Sequence, residues 1–539
     1  MSFDADSLPD DLEGLRAFAL KACTDRDAAL AARDRELAEK LRLAAERDRV
    51  QTQNDRLRHL LKQLQRAQFG RSSERLDLDQ LQLGLEDIEQ AIAKSEAEVD
   101  KIDKPAGAAR AEKRRANRGS LPAHLPRVHV TVAPEDTNCP CCRHPMHAIG
   151  EETSQRLDVI PAQHQVIVTH RPKYACRACE GTVVQAPAPA HLIEGGIPTE
   201  AMVAHVLVSK YAWHLPLYRQ AQIMLTQGIA IDRGTFAGWV GYAACELTPL
   251  YTRMREILLA SAKLAVDETP VPVLDPGRGK TKTGYFWAIA RDERPWAGND
   301  PPAVVYTYAP SRSAEHAQAL LANYHGIVQC DGYVAYKKLN ENRIALAFCW
   351  AHLRRKFYDI AKGGDAPVAT EALARIAALY QIETTIRGQA PEIRRAVRRQ
   401  QSEPLIRDLK GWLEARLREA SAKSILAKTI RYGLSHWDGL TRFLDDGRIE
   451  LDTNIVERSM RPVALNRKNA LFAGHDEGAQ NWAVIASLIE TCKLNAIDPQ
   501  AYLTDVLTKL VNLWPQARID ELMPWATAAA RDAEQRKAA

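Results

Sequence analysis

The sequence predicts a multidomain α+β protein, with helical segments at both ends, a small β-rich module, and an α/β sheet domain that carries an all-helical insertion. At 539 residues, the chain is too long for a single hydrophobic core. Stretches rich in Ala, Leu, Glu and Arg predict helices, whereas short apolar and β-branched runs between residues 263 and 348 predict strands. The changes between these patterns divide the chain into successive segments.

The composition is that of a soluble globular protein, since 46% of the residues are hydrophobic and 26% are charged. No apolar run is long enough to span a membrane, and the opening MSFDADSLPDDLEG is acidic and polar, unlike a secretory signal. We therefore expect a cytoplasmic protein with no membrane partner. In that reducing environment, clustered cysteines indicate a bound metal rather than disulfides.

Residues 1–100 are predicted to form a long helix and a probable coiled coil. A seven-residue repeat, as in a coiled-coil seam, is formed by Leu43, Val50, Leu57 and Leu64. The positions between them are irregular, so this helix could pair with another helix or pack on the body of the protein. Gly70, in QFGRSSERLD, is expected to end the helix.

The segment 101–122 is predicted to be a basic linker. Its stretch KIDKPAGAARAEKRRANR carries seven basic and two acidic residues, and RGQAPEIRRAVRR at 387–399 carries five arginines and one glutamate. Runs of this kind are either solvated surface or contacts to phosphates, whose affinity falls steeply with salt. The sequence leaves both interpretations open.

Residues 123–195 are predicted to form a small zinc-binding module. VHVTV and QVIVTH have the alternation of short antiparallel strands, and VVQAPAPAHLIEGGIP is predicted to be a second linker. Two Cys-x-x-Cys pairs can close a tetrahedral shell around one structural Zn²⁺. The four thiolates are those of Cys139, Cys142, Cys176 and Cys179, with Cys141 spare and His144 and His147 as substitutes. The alternative is a set of buried or reactive thiols.

Residues 196–262 are predicted to be helical. LYRQAQIMLTQ, GIAI and DRGTFAGWVGY have the outline of helix, short turn with Gly, and helix. DNA-binding helix-turn-helix units share this outline, and so do many ordinary helical hairpins.

Residues 263–353 are predicted to be the first part of the sheet domain. KLAVDETPVPVL, TGYFWAIARD, AVVYTYAPS, GIVQCDG and IALAFCW predict five strands, with a helix in SAEHAQALLANYH before the fourth. The remaining segments are predicted to be a helical insertion (354–447), the second part of the sheet domain (448–505) and a C-terminal helical tail (506–539).

Three acidic residues are the candidate catalytic residues. Asp267 follows KLAV and Asp331 follows GIVQC, so each is expected at a strand end, although an acid there is also common in turns. Glu457, in IELDTNIVERSM, is either part of a capping box with Asn454 or a metal ligand, while Asp452 suits an N-cap. Three carboxylates at one sheet edge can hold two Mg²⁺ or Mn²⁺ ions about 3.5–4 Å apart for phosphodiester chemistry.

Successive motifs along the chain are similar to those of one family. LAVDETPV, VQCDGYVAY, CWAHLRRKF, DTNIVERSMRP, RKNALF and SLIETCKLNAIDPQAYL resemble the insertion-sequence-66 (IS66) family of bacterial transposases, and the likeness extends upstream to FGRSSERL and RPKYACRACEG. It covers the chain from the leucine-rich helix to about residue 505. The resemblance implies an RNase-H-like catalytic core of the Asp-Asp-Glu type, in which Asp267, Asp331 and Glu457 are the magnesium-binding triad.

The resemblance also implies a function: a DNA transposase that binds the terminal repeats of an insertion sequence and the target DNA, then cuts and transfers strands with two Mg²⁺ (or Mn²⁺) ions. Such a protein is expected in the bacterial cytoplasm, on the nucleoid when acting. A homo-oligomer through the N-terminal helix and accessory proteins of the same element are further expected partners. Two alternatives stay open: a zinc-dependent DNA-binding protein with an inactive RNase-H-like core, and a nuclease that cuts without joining.

Basic side chains near the candidate acids are expected to contact DNA phosphates. They are Arg354, Arg355, Arg458, Arg461, Arg467 and Lys468. Cys349-x-x-His352 has the spacing of metal ligands but lacks a visible second pair, so a core cysteine beside a hydrogen-bonded histidine is predicted.

Overall fold

The structure, a computed structural model, divides into two units, Met1–Val168 and Thr169–Ala539. The residues that it describes are 11–69, 92, 93, 96, 99, 102–117, 126–131, 141–144, 155–157, 163–175, 183–275, 280–339, 342–470 and 473–529. Within these residues, no helix combines the length and the apolar character needed to cross a membrane.

One long helix, α1 (Leu12–Phe69), dominates the first unit. The predicted helix is confirmed over the described residues 12–69, and its expected end at Gly70 lies outside the described residues. Along α1, Leu43 is half-buried, whereas Leu20 and Leu41 are exposed. The side chains of the other residues of the repeat, Val50, Leu57 and Leu64, lie outside the described residues. Pairing through this helix therefore stays a prediction.

The segment predicted to be a basic linker contains a second helix, α2 (Lys104–Asn117). Ala, Lys, Arg and Glu fill most of α2, and these residue types have high helix propensity. Pro105 lies in the first turn, where its missing N–H removes no helical hydrogen bond. The basic run is therefore helical, whereas its charge and its Pro and Gly residues predicted a linker.

The strands predicted at VHVTV and QVIVTH are wrong, because the described residues 128–131 and 165–170 have no regular structure. Alternation of apolar and polar residues gives a segment one apolar face. A strand also needs a neighbouring strand that pairs with its backbone N–H and C=O groups, and the alternation does not provide one. The apolar side chains there are exposed, namely Val128, Val130, Val166 and Val168. The module instead contains β1 (Lys173–Ala175) and β2 (Val183–Gln185), which pair antiparallel. The predicted second linker therefore begins with a strand.

After β2, three helices precede the large sheet of the second unit: α3 (Glu200–Tyr211), α4 (Leu217–Thr226) and α5 (Arg233–Leu259). Between α4 and α5, Gly228 has a φ of +78°, a conformation that suits glycine. The Asp232 carboxylate caps α5 by accepting a hydrogen bond from Gly234 N at 2.6 Å. The predicted helix, turn and helix are thus confirmed, and DNA binding by them stays a prediction.

A five-stranded mixed sheet forms the centre of the second unit. Its strands are β3 (Lys263–Asp275), β4 (Lys280–Arg291), β5 (Ala303–Ala309), β6 (Gly326–Cys330) and β7 (Ile344–Phe348). In space their order is β5-β4-β3-β6-β7: the first three strands form an antiparallel meander, and β6 and β7 run parallel to β3. Helix α6 (Ala314–Leu320) lies between β5 and β6 in the chain. All five predicted strands and the predicted helix are confirmed.

The all-helical insertion is confirmed and follows β7. Its helices are α7 (Trp350–Ala361), α8 (Pro367–Ile386), α9 (Pro391–Val397), α10 (Glu403–Glu419), α11 (Ile425–Ser435) and α12 (Trp437–Thr441). Glu383 on α8 accepts hydrogen bonds from Arg394 Nη2 on α9 at 3.0 Å and from Arg398 Nε at 2.6 Å. Arg398 begins the π-helical turn (Arg398–Ser402) that follows α9. The Arg394 and Arg398 side chains are 1% and 0% exposed.

The buried Arg398 also connects the insertion to the segment that returns to the sheet. Its guanidinium donates hydrogen bonds to the backbone oxygens of Phe443 at 2.9 Å and Ile449 at 2.8 Å. Arg394 donates to the backbone oxygen of Pro295, before β5, at 2.6 Å. The two arginines therefore anchor the chain on both sides of the insertion.

Three α-helices follow the insertion: α13 (Asn454–Ala470), α14 (Asp476–Leu494) and α15 (Pro499–Val511). A 3-10 helix (Gln516–Leu522) and a helical stretch at 524–529 complete the described chain. Helix α14 covers edge strand β5, because its Thr491 and Ser487 hydroxyls accept hydrogen bonds from Val304 N at 3.1 Å and Tyr306 N at 2.9 Å. Helix α13 continues through Pro462, although proline cannot donate a helical hydrogen bond. The neighbouring Met460 and Val463 are buried, and this packing offsets the lost hydrogen bond.

Candidate active site

The pairing of β3 with β6 puts the two candidate aspartates side by side. Ala265 of β3 pairs with Gln329 of β6, and this parallel register, continued by two residues, aligns Asp267 with Asp331. Neighbouring strands lie about 4.8 Å apart. Asp331 directly follows β6 as predicted, but Asp267 is not at a strand end, because β3 continues to Asp275 by pairing with β4.

The next strand adds a cysteine to the same level of the sheet. Cys330, the last residue of β6, pairs with Phe348, the last residue of β7. One residue further along each chain, Asp331 is therefore level with Cys349. Cys349 N donates a hydrogen bond to the backbone oxygen of Cys330 at 3.1 Å, so Cys349 lies directly beside the end of β6.

Asp267 lies where its negative charge is unfavourable. Its side chain is half-buried. Burial, together with the negative charges of Glu268, Asp331 and Glu457, raises the pKa of Asp267 to about 7. The three candidate acids therefore lie within electrostatic range of one another. Mutually repelling carboxylates of this kind favour a bound cation.

Asp331 is oriented by the turn that it forms. Its Oδ1 accepts a hydrogen bond from Tyr333 N at 2.7 Å, which is the turn expected of an Asp-Gly pair. Gly332 has a φ of +85°, and a Cβ there would lie 2.9 Å from Cδ2 of His436, so a larger residue does not fit. Asp331 Oδ2 lies 3.9 Å from Nη2 of Arg312. The turn thus holds Oδ1 of Asp331, while Oδ2 faces the guanidinium of Arg312.

Sequence reasoning missed two charged neighbours of the site, Glu268 and Arg312. Glu268 accepts hydrogen bonds from Tyr336 Oη and Arg312 Nε, both at 2.5 Å. The Arg312 guanidinium lies 3.6 Å from the centroid of the Tyr333 ring. The position of Arg312 in the sequence could have indicated it. Arg312 follows the end of β5, which lies at the same edge of the sheet as the end of β6.

Glu457 lies near the aspartates because the chain before α13 is tied to the sheet. Gln329 Nε2 of β6 donates a hydrogen bond to the backbone oxygen of Glu450 at 2.6 Å. Trp350 N, at the start of α7, donates to the backbone oxygen of Leu451 at 2.7 Å. Helix α13 begins a few residues later, so Glu457 is in its first turn at this edge.

The start of α13 bears on the capping-box interpretation of Glu457, while its role as a metal ligand stays a prediction. Asp452 Oδ1 and Oδ2 accept hydrogen bonds from Asn454 N at 3.2 Å and Asn454 Nδ2 at 2.7 Å. Because Glu457 N donates to the backbone oxygen of Thr453, Thr453 holds the N-cap position and the predicted N-cap Asp452 lies one residue before it. Burial raises the pKa of the Asp452 carboxyl to about 6. The predicted capping box between Asn454 and Glu457 is not what these bonds form.

Three side chains approach the same oxygen of Glu457. Thr453 Oγ1 donates a hydrogen bond to Oε1 at 2.9 Å. Cys349 Sγ lies 4.0 Å and His352 Nδ1 lies 3.9 Å from that oxygen. Thr453 was missed in the sequence, although its position directly before the helix is a common one for a hydroxyl that contacts the first turn.

The prediction for Cys349 and His352 is half right. Cys349 is a buried core cysteine, as expected. His352 was predicted to be hydrogen-bonded, but its Nδ1 is buried and has no hydrogen-bond partner among the residues that the structure describes. The difference arises because the acid nearest to this ring nitrogen, Glu457, comes from a distant part of the chain.

The predicted DNA contacts lie on two helices that begin at this edge of the sheet, α7 and α13. Arg355, Arg458, Arg461 and Lys468 are exposed, and Arg354 is half-buried. Arg467 differs from them, because it is half-buried and donates a hydrogen bond to the backbone oxygen of Pro270 in β3. Arg467 therefore supports the sheet, and DNA contact by these six residues stays a prediction.

Most of the predicted zinc ligands lie outside the described residues, namely Cys139, Cys176 and Cys179, together with His147. Cys142 and the spare Cys141 are described, and both are exposed. His144 Nδ1 lies 3.1 Å from the backbone oxygen of Cys142. The four-thiolate shell therefore stays a prediction.

Models of one protein family match almost the whole chain. The model described as "Transposase IS66 family" matches residues 195–481, and "IS66 C-terminal element" matches residues 487–525. Nearer the N-terminus, "zinc-finger binding domain of transposase IS66" matches residues 136–180, and "Transposase C of IS166 homeodomain" matches residues 56–130. The match over 136–180 supports a zinc ion in that part of the chain.

Individual relatives are similar over most of their length. Uncharacterized protein y4qI of Sinorhizobium fredii is 41% identical over 532 residues, which is 96% of this chain and 97% of the relative. Uncharacterized protein y4jD of the same organism is 49% identical over 417 residues, which is 76% of this chain and 82% of the relative.

Proposed function

The chain belongs to the IS66 family of transposases, and we propose that it cuts the ends of an insertion sequence and joins them to target DNA at Asp267, Asp331 and Glu457. The observation that carries this proposal is the convergence of these acids at one edge of the sheet. The parallel pairing of β3 with β6 brings the two aspartates near each other, and burial together with the charges of Glu268, Asp331 and Glu457 raises the pKa of Asp267.

The strand arrangement supports an RNase-H-like core. An antiparallel meander of three strands, followed by two strands parallel to the first, gives the order β5-β4-β3-β6-β7. In this arrangement the first strand is central, so its acid lies beside the acid that follows the fourth strand. The long helical insertion between β7 and α13 then returns the chain to deliver Glu457 to the same edge.

The residues present fit Mg²⁺ or Mn²⁺. Asp267, Asp331 and Glu457 offer only oxygen ligands, which these hard cations prefer. The raised pKa of Asp267 fits as well, because repulsion among carboxylates is relieved by bound positive charge. When bound, two such ions would lower the pKa of the attacking water or hydroxyl group and stabilise charge on the leaving oxygen of a phosphodiester.

Neighbouring side chains set the orientation of these acids. The bond from Thr453 holds Oε1 of Glu457, which leaves Oε2 for a cation. The turn at Tyr333 holds Oδ1 of Asp331 in the same way, which leaves Oδ2. Each carboxylate is thus fixed through one oxygen before a ligand arrives, and this reduces the reorganisation that binding requires.

The reaction requires no covalent bond to the protein. In cleavage, water attacks a phosphodiester, a P–O bond breaks, and a DNA 3′-hydroxyl is released. In joining, that hydroxyl attacks a phosphodiester of the target, and a target 3′-oxygen leaves. Both steps are phosphoryl transfers at the same acids, so one site serves both.

Several surfaces would hold the DNA. Arg458 and Arg461 are exposed on the helix that carries Glu457, where they would contact phosphates beside the cutting site. The α4–turn–α5 unit and the zinc-binding segment would contribute binding to the terminal repeats. Because such contacts are electrostatic, DNA affinity should fall steeply as salt rises, and an affinity that is independent of salt would contradict them.

We further propose that two copies of the chain pair through α1. The support is the seven-residue repeat of Leu43, Val50, Leu57 and Leu64 on this helix. Light scattering should give the mass of an oligomer for the full chain and a lower mass for the variant Leu57→Asp. Equal masses would count against pairing through this seam.

The test of function is a strand-transfer assay with labelled DNA that carries the ends of the element encoding the chain. In Mg²⁺, the protein is expected to produce both nicked ends and ends joined to target DNA. Nicked ends without joined product would indicate a nuclease. Salt-sensitive DNA binding with neither product would indicate a DNA-binding protein with an inactive core.

A further inference from the structure

The end of β7 and the start of α7 place two metal-binding side chains beside Glu457. Cys349 is the residue before α7, and His352 is in its first turn. The ligand atoms of Cys349, His352 and Glu457 all lie within 4.8 Å of one another. In a tetrahedral zinc site, bonds of about 2.0–2.3 Å place neighbouring ligand atoms roughly 3.3–3.8 Å apart. The observed cluster needs only a small contraction to reach that spacing.

The state of His352 is a second, independent observation. Its Nδ1 is buried without a hydrogen-bond partner in the described part of the chain, and it lies 3.9 Å from Oε1 of Glu457. A buried polar atom that lacks a partner is unfavourable. A cation between the ring nitrogen and the carboxylate would satisfy both groups.

The sulfur of Cys349 is placed to bind a cation, because it is buried and lies 4.0 Å from Oε1 of Glu457. A coordinating metal displaces the thiol proton to solvent, since metal-bound cysteine is a thiolate.

We propose that Cys349, His352 and Glu457 form a binding site for a borderline-soft divalent cation such as Zn²⁺. Sulfur, imidazole nitrogen and carboxylate oxygen together are a zinc donor set, whereas Mg²⁺ takes oxygen ligands. The site has three protein ligands, so a fourth position stays open for water, as in zinc sites that are not purely structural. It differs from the Cys-x-x-Cys module in both its residues and its position in the chain.

The two cation sites share one ligand. Glu457 belongs to the cluster with Cys349 and also to the proposed catalytic acids. A zinc ion held by Cys349 and His352 would also bind Oε1 of Glu457, and so reduce the negative charge that this carboxylate offers to Mg²⁺. The inference rests here on the proposed function, and it predicts that zinc inhibits DNA cleavage by occupying this site.

Cobalt binding tests the site without any reference to activity. Co²⁺ bound to a thiolate absorbs strongly in the near ultraviolet and visible, whereas Co²⁺ bound only by oxygen and nitrogen absorbs weakly. The full-length protein, with its Cys-x-x-Cys module already loaded with zinc, is titrated with Co²⁺. The wild type is expected to gain one thiolate-bound Co²⁺ that Cys349→Ser lacks.

Two variants act as controls. Cys492→Ser removes another buried thiol, on α14, and is expected to keep the full cobalt signal. His352→Ala is expected to weaken Co²⁺ binding at least about tenfold, since even residues around a ligand contribute that much. A cobalt spectrum that is the same in the wild type and Cys349→Ser, or that lacks a thiolate band in every variant, would overturn the site.

Zinc inhibition is measured separately, with each protein compared with its own zinc-free cleavage rate. The wild type is expected to lose activity at zinc concentrations that leave Cys349→Ser largely unaffected. If Co²⁺ binds as expected but zinc inhibits both proteins equally, the site stands and its link to Glu457 in catalysis is wrong. If the wild type cleaves no DNA at all, the proposed function fails while the cobalt result still decides the site.

Discussion

Replacing Asp267 by Asn should abolish Mg²⁺-dependent cleavage and joining while leaving binding to end DNA largely intact. The variant keeps the shape of the side chain but removes one charged ligand for the cations. Metal ions contribute several kcal/mol of transition-state stabilisation, so a loss of roughly 10³-fold or more in cleavage rate is expected. Asp359→Asn, an exposed aspartate on α7, makes the same change in charge and should retain activity. Unchanged cleavage by Asp267→Asn would remove this residue from the mechanism.

The same variant should be more stable than the wild type at neutral pH. The pKa of Asp267 is raised from 3.8 to about 7, so the folded state holds this proton more tightly than the unfolded state does. Stability of the wild type therefore falls as pH rises through this window, and the penalty is complete above it. Asn does not ionise, so the difference in Tm between variant and wild type should grow from about pH 4 to about pH 7. A constant difference would mean that Asp267 titrates normally.

Replacing Glu383 by Gln should lower the free energy of unfolding far more than replacing an exposed carboxylate does. Glu383 is the acid partner of Arg394 and Arg398, whose side chains are 1% and 0% exposed. Removing one partner of a buried ion pair leaves uncompensated charge and costs about 3–5 kcal/mol. The expected result is a lower denaturant midpoint of the second unit, measured on the full chain.

The control for this variant is Glu414→Gln, which removes an exposed carboxylate from α10 in the same insertion. Its effect should stay within about 0.5 kcal/mol of zero, as for most surface substitutions. Because Arg398 also bonds the backbone of Phe443 and Ile449, Glu383→Gln should reduce DNA cleavage at temperatures where the variant is still folded. Equal midpoints for the two variants would show that the buried network is not needed.

Much of the sheet could be predicted because its strands are short apolar runs separated by turn residues, and local sequence carries that information. Asp331 was placed correctly for the same reason, since its strand ends at Cys330. The end of β3 could not be predicted in this way. Its last residues are held by pairing with β4 as far as Asp275, and a pairing partner is not visible in the strand itself.

The errors elsewhere have the same physical origin. The exposed valines of VHVTV alternate like a strand, but regular pairing needs a second strand, which no local pattern supplies. His352 was expected to be hydrogen-bonded because its neighbours in sequence were considered. The acid nearest to its Nδ1 is Glu457, which also approaches Cys349 from 108 residues along the chain. Contacts of that range require the fold.

A structure of the full chain with bound Mn²⁺ tests the central claim most directly, because the anomalous scattering of manganese locates each ion independently of the surrounding atoms. The account predicts manganese between the carboxylates of Asp267, Asp331 and Glu457, with all three as ligands. Manganese that is absent from this edge of the sheet, or bound there without one of the three acids, would contradict it.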